Sequence, residues 1–580
     1  MKSSNDLRTS LRTIDHKGYP AYKSLAGSYQ FERFILTIDH VQGDPFASPS
    51  SLHVEILHRQ SGFPTAYLDS PDARIALADH LTRCLSAQFE TYNFKAKGSG
   101  KSGLISTTHC GQEVLERSAC QVLNDRIIAR FHVGFPAFGR SINAGELEKI
   151  LFDFLPRCVE NTFFFKKLDA KKLETAIHLY EDQQELRALL QEHHLKAFVK
   201  NGAILPRKSG VSDLPMKDPI SFCSPASMEQ TFVLKHTGAV TGMAIPEGIT
   251  LLVGGGYHGK STLLEALQTG VYNHIYGDGR EFVITDATAI KLRAEDGRSV
   301  RNVNISMFIN DLPNKKDTTC FSSMDASGST SQAAGVIESL EAGAHLFLID
   351  EDTSATNFML RDEFMQQVIS REKEPITPFL ERARNLYERA GVSTILVAGS
   401  SGAFFYIADH VIQMDNYHPV EITEKVKALC NNYPTPRTEA PDFQVPKFDR
   451  TIPPFRRTED SRRSRCGRNR GDSNSRATSH EHMKTKLYGK DSFSIDKETV
   501  DLRYVEQLVD AEQTAALSYF LRYGLEQIID GQKTVQETAE QLMKLMDQKG
   551  WLPFCSSYIP CGLAKPRIQE LYTCLNRFRG

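Results

Sequence analysis

Residues 254–261 read Gly-Gly-Gly-Tyr-His-Gly-Lys-Ser, directly after the apolar run Ile249–Val253 and directly before the helix-forming stretch Ser261–Gln268. No other segment restricts so strongly what this chain can fold into. A glycine-rich turn between a buried strand and a helix lets successive backbone N–H groups point inward, into a concavity that side chains would fill. The spacing G-x-x-x-x-G-K-[ST] then sets an ammonium and a hydroxyl beside that concavity, with the positive end of a helix behind it. Such a turn cradles a polyphosphate. Gly254, Gly255, Gly256, Tyr257, His258 and Gly259 supply the lining, and Lys260 faces the β- and γ-phosphates. The Ser261 hydroxyl is placed to ligate Mg²⁺, and Thr262 continues the helix start.

A phosphate loop needs an acidic partner to hold the metal and orient water. His345–Glu351 provides one: an apolar strand that ends in two carboxylates. Asp350 is placed to bind Mg²⁺, directly or through water, and Glu351 to polarise the attacking water. Between the two motifs lies Asp325–Gln332, rich in small hydroxyl residues at a helix start, where free N–H groups and the helix dipole attract an anion. Ser327, Gly328 and Ser329 form that second phosphate-facing surface. Three short branched runs, Ile249–Val253, Leu346–Ile349 and Thr394–Val397, alternate with helical patterns, which predicts an α/β core with a mainly parallel sheet.

The order phosphate loop, serine–glycine helix start, then strand-Asp-Glu resembles the ABC-class ATPase core. The shorter motifs GDGRE (277–281), EDGR (295–298), ASGSTSQAA (326–334), LIDEDTSATNFM (348–359) and EPITPF (374–379) are similar to the soluble family described as predicted ATPases of the ABC class. That family includes an ATPase of a mitochondrial RNA-binding complex. The resemblance covers most of residues 20–425, and residues 484–579 are similar to the C-terminal domain of the same family. It implies that Asp350 and Glu351 are the Walker B acid and the catalytic carboxylate, with Lys260 assisting catalysis. It also implies that Ser327 and Gly328 stand for the ABC signature and Ser354–Asn357 for the D-loop. The signature reads SGST where transporters carry SGGQ. Ala398–Gly402 stands where a switch histidine is expected, leaving Ser400 as a weaker γ-phosphate sensor and implying slow hydrolysis. No clear Q-loop glutamine is found at Ile305–Ile309. A signature caps nucleotide on a partner's phosphate loop, so the resemblance implies a homodimer with ATP and Mg²⁺ at composite sites. RNA is the polymer it would clamp or remodel. The rival reading is an assembly or scaffold protein in which ATP is a structural switch, and a kinase is a weaker third for want of an acceptor-binding motif.

At about 150 residues per domain, 580 residues make roughly four domains the prior. The expected organisation is an N-terminal α+β domain over 1–215, an ABC-type P-loop core over 216–435, a disordered Arg/Ser/Pro-rich linker over 436–483 and a small, mostly helical domain over 484–580. Strands are expected at Phe31–Val41 and Leu52–His58, and a helix starting at Ser70-Pro71-Asp72. Further helices are expected at Ala144–Phe154, Lys171–Val199, Val500–Gly524 and Val535–Lys549, with a linker at Leu205–Pro225.

Lys and Arg number 69 against 71 Asp and Glu, a balance that excludes a chain-wide polyelectrolyte and leaves room for a local patch. Seven arginines between Arg456 and Arg470 form one, a tether for nucleic-acid phosphates or a solvated linker. No run reaches the ~18 apolar residues of a membrane span, and no apolar leader opens the chain. Eleven cysteines without a CxxC pair fit a reducing compartment. The expectation is an intracellular protein without membrane insertion, cytoplasmic ahead of mitochondrial or nuclear. Gly98–Gly103 (GSGKSG) fails the phosphate-loop spacing and reads as a flexible basic turn, and Gly134–Arg140 as a plain one.

Overall fold

Alternation in Ser50–Leu57 turns Leu52, Val54 and Ile56 to one side of a strand, where they join Phe131, Leu77 and Leu81 in a single core. The computed structural model describes residues 1–361, 368, 373–433, 440, 442–454 and 483–579. They divide into two units: Met1–Ala289 with Ala408–Leu429 and Ser557–Lys565, and Ile290–Ile407 with Cys430–Ser556 and Pro566–Gly580.

In the first unit Ser50–Leu57 pairs antiparallel with Ile35–His40 and Arg126–Val133, at the centre of a seven-stranded sheet. Helix Pro71–Glu90 starts as its sequence predicts. The Ala73 N–H donates to Ser70 Oγ at 3.0 Å, and Pro71 occupies a position whose N–H has no helical partner. The helix expected to end at Phe154 continues. It is α-helical over Ala144–Lys149, widens to a π turn over Ile150–Phe154 and resumes over Leu155–Phe163. Pro156 lies just past the widening and lacks the N–H that an unbroken α ladder requires.

The run Lys171–Val199 is two elements rather than one helix. Helix Ala170–Glu192 is capped by Asp169, and His194 turns the chain at φ +55°. Leu195–Lys200 is then a buried strand between Gly238–Pro246 and Val283–Thr285. The Pro-rich passage expected to be a linker forms a hairpin, Arg207–Ser209 with Ser212–Pro215. Arg207 anchors it through an ion pair of 2.7 Å to Asp278, whose carboxylate is fully buried. Strand Ile249–Val253 is buried throughout and runs parallel to His410–Asp415, which pairs antiparallel with His418–Glu421.

In the second unit Leu346–Asp350 lies between Ile290–Leu292 and Ser393–Val397, all parallel. Burial on both faces explains why it and Ser393–Val397 read as continuous apolar runs. Arg298–Val303 pairs antiparallel with Phe321–Ala326, which leads into helix Gly328–Glu341. The C-terminal portion adds a three-stranded antiparallel sheet and helices Ala511–Tyr523, Val535–Lys549 and Ile568–Arg577. The helix expected from Val500 begins only at Ala511, because Asp510 caps it and Glu498–Asp501 is extended. The arginine cluster 456–470 lies outside the described residues. Among the described residues no helix is long and apolar enough to cross a membrane.

Candidate functional site

The first unit carries the glycine turn. Gly254 adopts φ +139°, and a Cβ there would lie 2.4 Å from the Met414 carbonyl oxygen. Gly259 adopts φ +95°, and its Cβ would meet the Tyr417 ring at 3.0 Å. A Cβ on Gly256 would meet nothing within 4 Å, and one on Gly255 only the His258 ring. The two glycines that the motif prescribes are therefore the two that the backbone requires. Tyr257 also stands at positive φ, and its ring is 99% exposed. The Lys260 ammonium donates to the Gly254 and Gly255 carbonyls at 2.7 Å each, so it lies across the turn. Helix Lys260–Thr269 is fixed by buried Leu263, Leu264 and Leu267, with Ser261 exposed and Thr262 half-buried in its first turn.

His258 has a role that spacing alone did not reveal. Its Nδ1 accepts from the Asn416 N–H at 2.9 Å and its carbonyl from the Tyr417 N–H at 3.2 Å. The ring proton therefore sits on Nε2, and the side chain braces the turn against the strand end at Asp415.

The second unit carries the acids. Asp350 is buried at the end of its strand, and its Oδ1 accepts from the Asp352 N–H at 3.1 Å. Glu351 is held from one side: its Oε2 accepts from the N–H groups of Gly399 at 2.6 Å and Ser400 at 3.0 Å. The Ser400 hydroxyl donates to the other carboxylate oxygen. The residue in the switch position is thus spent on the acid.

Ser327 occupies the N-cap position of helix Gly328–Glu341 without a side-chain capping bond and is exposed, while Gly328 and Ser329 are buried. The Ser327 hydroxyl lies 3.0 Å from that of Thr330 and 3.3 Å from that of Ser329. A Cβ on Gly328 would come within 3.2 Å of Asp296 Oδ1 and 3.5 Å of Ala355. Fully buried Gln332 ties this helix to the segment after the acids. Its Nε2 donates to Ser354 Oγ at 3.0 Å and its Oε1 accepts from the Ala355 N–H at 2.9 Å. Ser354 Oγ in turn donates to the Asp350 carbonyl at 2.9 Å. Sequence reading missed Gln332, though an amide four residues after the helix start at Gly328 was a usable signal.

Gly98–Gly103 is packed rather than flexible. A Cβ on Gly103 would lie 2.0 Å from the Ala96 carbonyl oxygen, and one on Gly134 1.8 Å from that of Lys101. The Gly103 N–H donates to the Gly134 carbonyl at 3.0 Å, so the two glycine turns of the N-terminal region close on each other. Their backbone donors serve the fold.

Residues 169–450 match the P-loop domain of ABC ATPases, and residues 4–166 match the family described as ATPase of the ABC class, N-terminal. Residues 484–580 match the MRB1590 C-terminal domain. The chain belongs to the ABC-class ATPase family. Its fold is the expected α/β P-loop core of ABC type, with further mixed and helix-rich regions at the two ends. This ABC-class ATPase is 28% identical over 274 residues to the uncharacterised protein MJ1628 of Methanocaldococcus jannaschii. That match spans 45% of this chain and 59% of the relative. Solved structures with similarity include MJ1267 in its ADP conformation, an ATP-binding cassette of an ABC transporter, at 11% identity. There the match covers 35% of this chain and 92% of the other, with a TM-score of 0.23. The cbiO1 protein of Clostridium perfringens, part of a transporter complex, is 11% identical over 40% of this chain and 91% of its own, with a TM-score of 0.25.

Proposed function

We propose that this ABC-class ATPase binds ATP with magnesium at the glycine turn and hydrolyses it with the carboxylates Asp350 and Glu351. The observation that carries the reading is the turn itself: Gly254 and Gly259 at positive φ, packed too closely against Met414 and Tyr417 to admit a side chain, with the Lys260 ammonium laid across the turn. Bound MgATP supplies the anhydride bond that breaks and the cation that draws charge from it. Lys260 exchanges its two carbonyl partners for phosphate oxygens, and the backbone N–H groups of Gly255–Gly259 orient them. Ser261 and Asp350 would hold the metal. Glu351, fixed in orientation by Gly399 and Ser400, accepts a proton from the attacking water. Ser327, Gly328 and Ser329 cap nucleotide on a second copy, so a homodimer forms the complete sites. Closure of that dimer clamps or remodels RNA, a reading supported by the family resemblance and by the arginines of 456–470. Lys260→Ala is expected to abolish ATP binding and turnover together. Full turnover in that variant refutes the reading. Crosslinking and sequencing of bound nucleic acid from cells tests the RNA part, and an empty result removes it.

The grip of Ser400 on Glu351 favours a second reading, an ATP-dependent assembly switch with little or no hydrolysis. Wild-type protein that dimerises with ATP and releases no phosphate would support it.

A further inference from the structure

The second unit holds a cavity of about 550 Å³ that none of the motifs anticipates. Its walls come from the antiparallel pair Arg298–Val303 and Phe321–Ala326 and from the chain just after helix Ile568–Arg577. Among the described residues three cations line it, Arg301, Lys316 and Arg579, and no Asp or Glu does. In a chain with 71 acidic residues against 69 basic ones, that is a local asymmetry of charge.

Neutral groups are among the partners of Arg579 and Arg301. Arg579 Nε donates to Ser299 Oγ at 3.2 Å, and Arg301 Nη1 to the Arg579 carbonyl at 3.4 Å. The Lys316 ammonium stands 5.8 Å from the Phe321 ring centroid. Among the described residues neither Lys316 nor Arg579 forms an ion pair. The like charges of Lys316 and Arg579 at one cavity repel each other until an anion enters. One edge of the cavity is soft and apolar: the Met324 side chain is 67% exposed, and thioethers pack well against ring edges. The volume falls in the range of small-molecule sites, about 300–1,000 Å³.

We infer that this cavity binds a phosphate ester bearing a flat ring, a nucleoside monophosphate either free or within an RNA strand. Phosphate oxygens would meet Arg301, Lys316 and Arg579, and the base would lie against Met324. Met324 belongs to the strand that runs directly into Ser327, so the ligand contacts the element that delivers the helix cap. None of the lining residues belongs to the glycine turn or to the acids, so the inference stands independently of the ATP reading.

The test titrates the full chain with uridine monophosphate and, separately, with a 5′-phosphorylated uridine octamer, in saturating MgATPγS to fill the glycine turn. Wild-type protein is expected to bind at least one probe at one site per chain. Lys316→Gln and Arg579→Gln are each expected to weaken that binding about tenfold or more, the scale of one lost charge-assisted hydrogen bond. ATPγS affinity and melting temperature should stay as in wild type, and Lys316→Arg should keep the affinity. Binding of the monophosphate identifies a free ligand, and binding of the octamer alone identifies a strand; both outcomes uphold the site. Failure of wild-type protein to bind either probe, or equal affinity in wild type and both glutamine variants, overturns it.

Discussion

Gly254→Ala and Gly256→Ala differ by one carbon placed two residues apart, and the structure assigns them different consequences. At Gly254 the new Cβ would sit 2.4 Å from the Met414 carbonyl oxygen, whereas ordinary contact begins at 3.4 Å. Turn or strand must therefore give way by about 1 Å, enough to misalign a hydrogen-bond donor. The φ of +139° adds strain, on the order of 1–3 kcal/mol for a residue with a side chain. Losing one charge-assisted bond to phosphate costs about 1.5–3 kcal/mol. At about 1.4 kcal/mol per tenfold, ATP affinity in Gly254→Ala should fall ten- to a hundredfold or further. Gly256→Ala meets nothing within 4 Å and has no left-handed φ, so its affinity should stay within about threefold of wild type. Isothermal titration of ATP into each purified variant, beside a thermal melt to confirm folding, measures both. Equal losses in the two variants, or wild-type affinity in folded Gly254→Ala, would refute the reasoning that the turn's shape makes the site.

Glu351→Gln should retain ATP binding, lose phosphate release and accumulate an ATP-bound dimer on size exclusion; a variant that stays monomeric with ATP counts against composite sites. Arg298 and Glu338 form an ion pair buried on both sides, so Arg298→Leu should destabilise the fold by about 3–5 kcal/mol in urea unfolding. Arg298→Leu combined with Glu338→Leu should recover most of that loss, because no unpaired charge then remains. Gln332→Leu strands the Ala355 N–H and is expected to cost about 1–3 kcal/mol, leaving ATP affinity unchanged while ATP-driven dimerisation weakens.

The parts of the site that were legible are those whose chemistry is contiguous in sequence. The glycine turn, the strand ending in Asp350 and Glu351, and the helix start at Ser327 each declare themselves within ten residues, because strand, turn and helix need particular residues at fixed offsets. The same locality made Ser70-Pro71-Asp72 a readable helix start. Where two elements abut without a glycine or proline between them, the pattern failed. Leu195–Lys200 continues the apolar register of the preceding helix, and only the left-handed His194 marks the break. Proline content misled at 205–225, since prolines are compatible with a short hairpin once Arg207 finds buried Asp278.

The illegible parts are long-range pairings between polar groups. The brace of His258 to Asn416 spans 158 residues, and the hold of Ser400 on Glu351 spans 49. No periodicity encodes either, because one residue of each pair is fixed by a strand end whose partner is chosen by topology. The second of these pairings changes what the missing histidine means. A serine at position 400 could be read from sequence only as a weaker contact to phosphate. In the fold, its N–H and hydroxyl, together with the Gly399 N–H, hold the carboxylate that would activate water. Any change at position 400 therefore acts on Glu351. Ser400→His would remove the hydroxyl donor from Glu351, so phosphate release by that variant is expected to be no faster than in wild type.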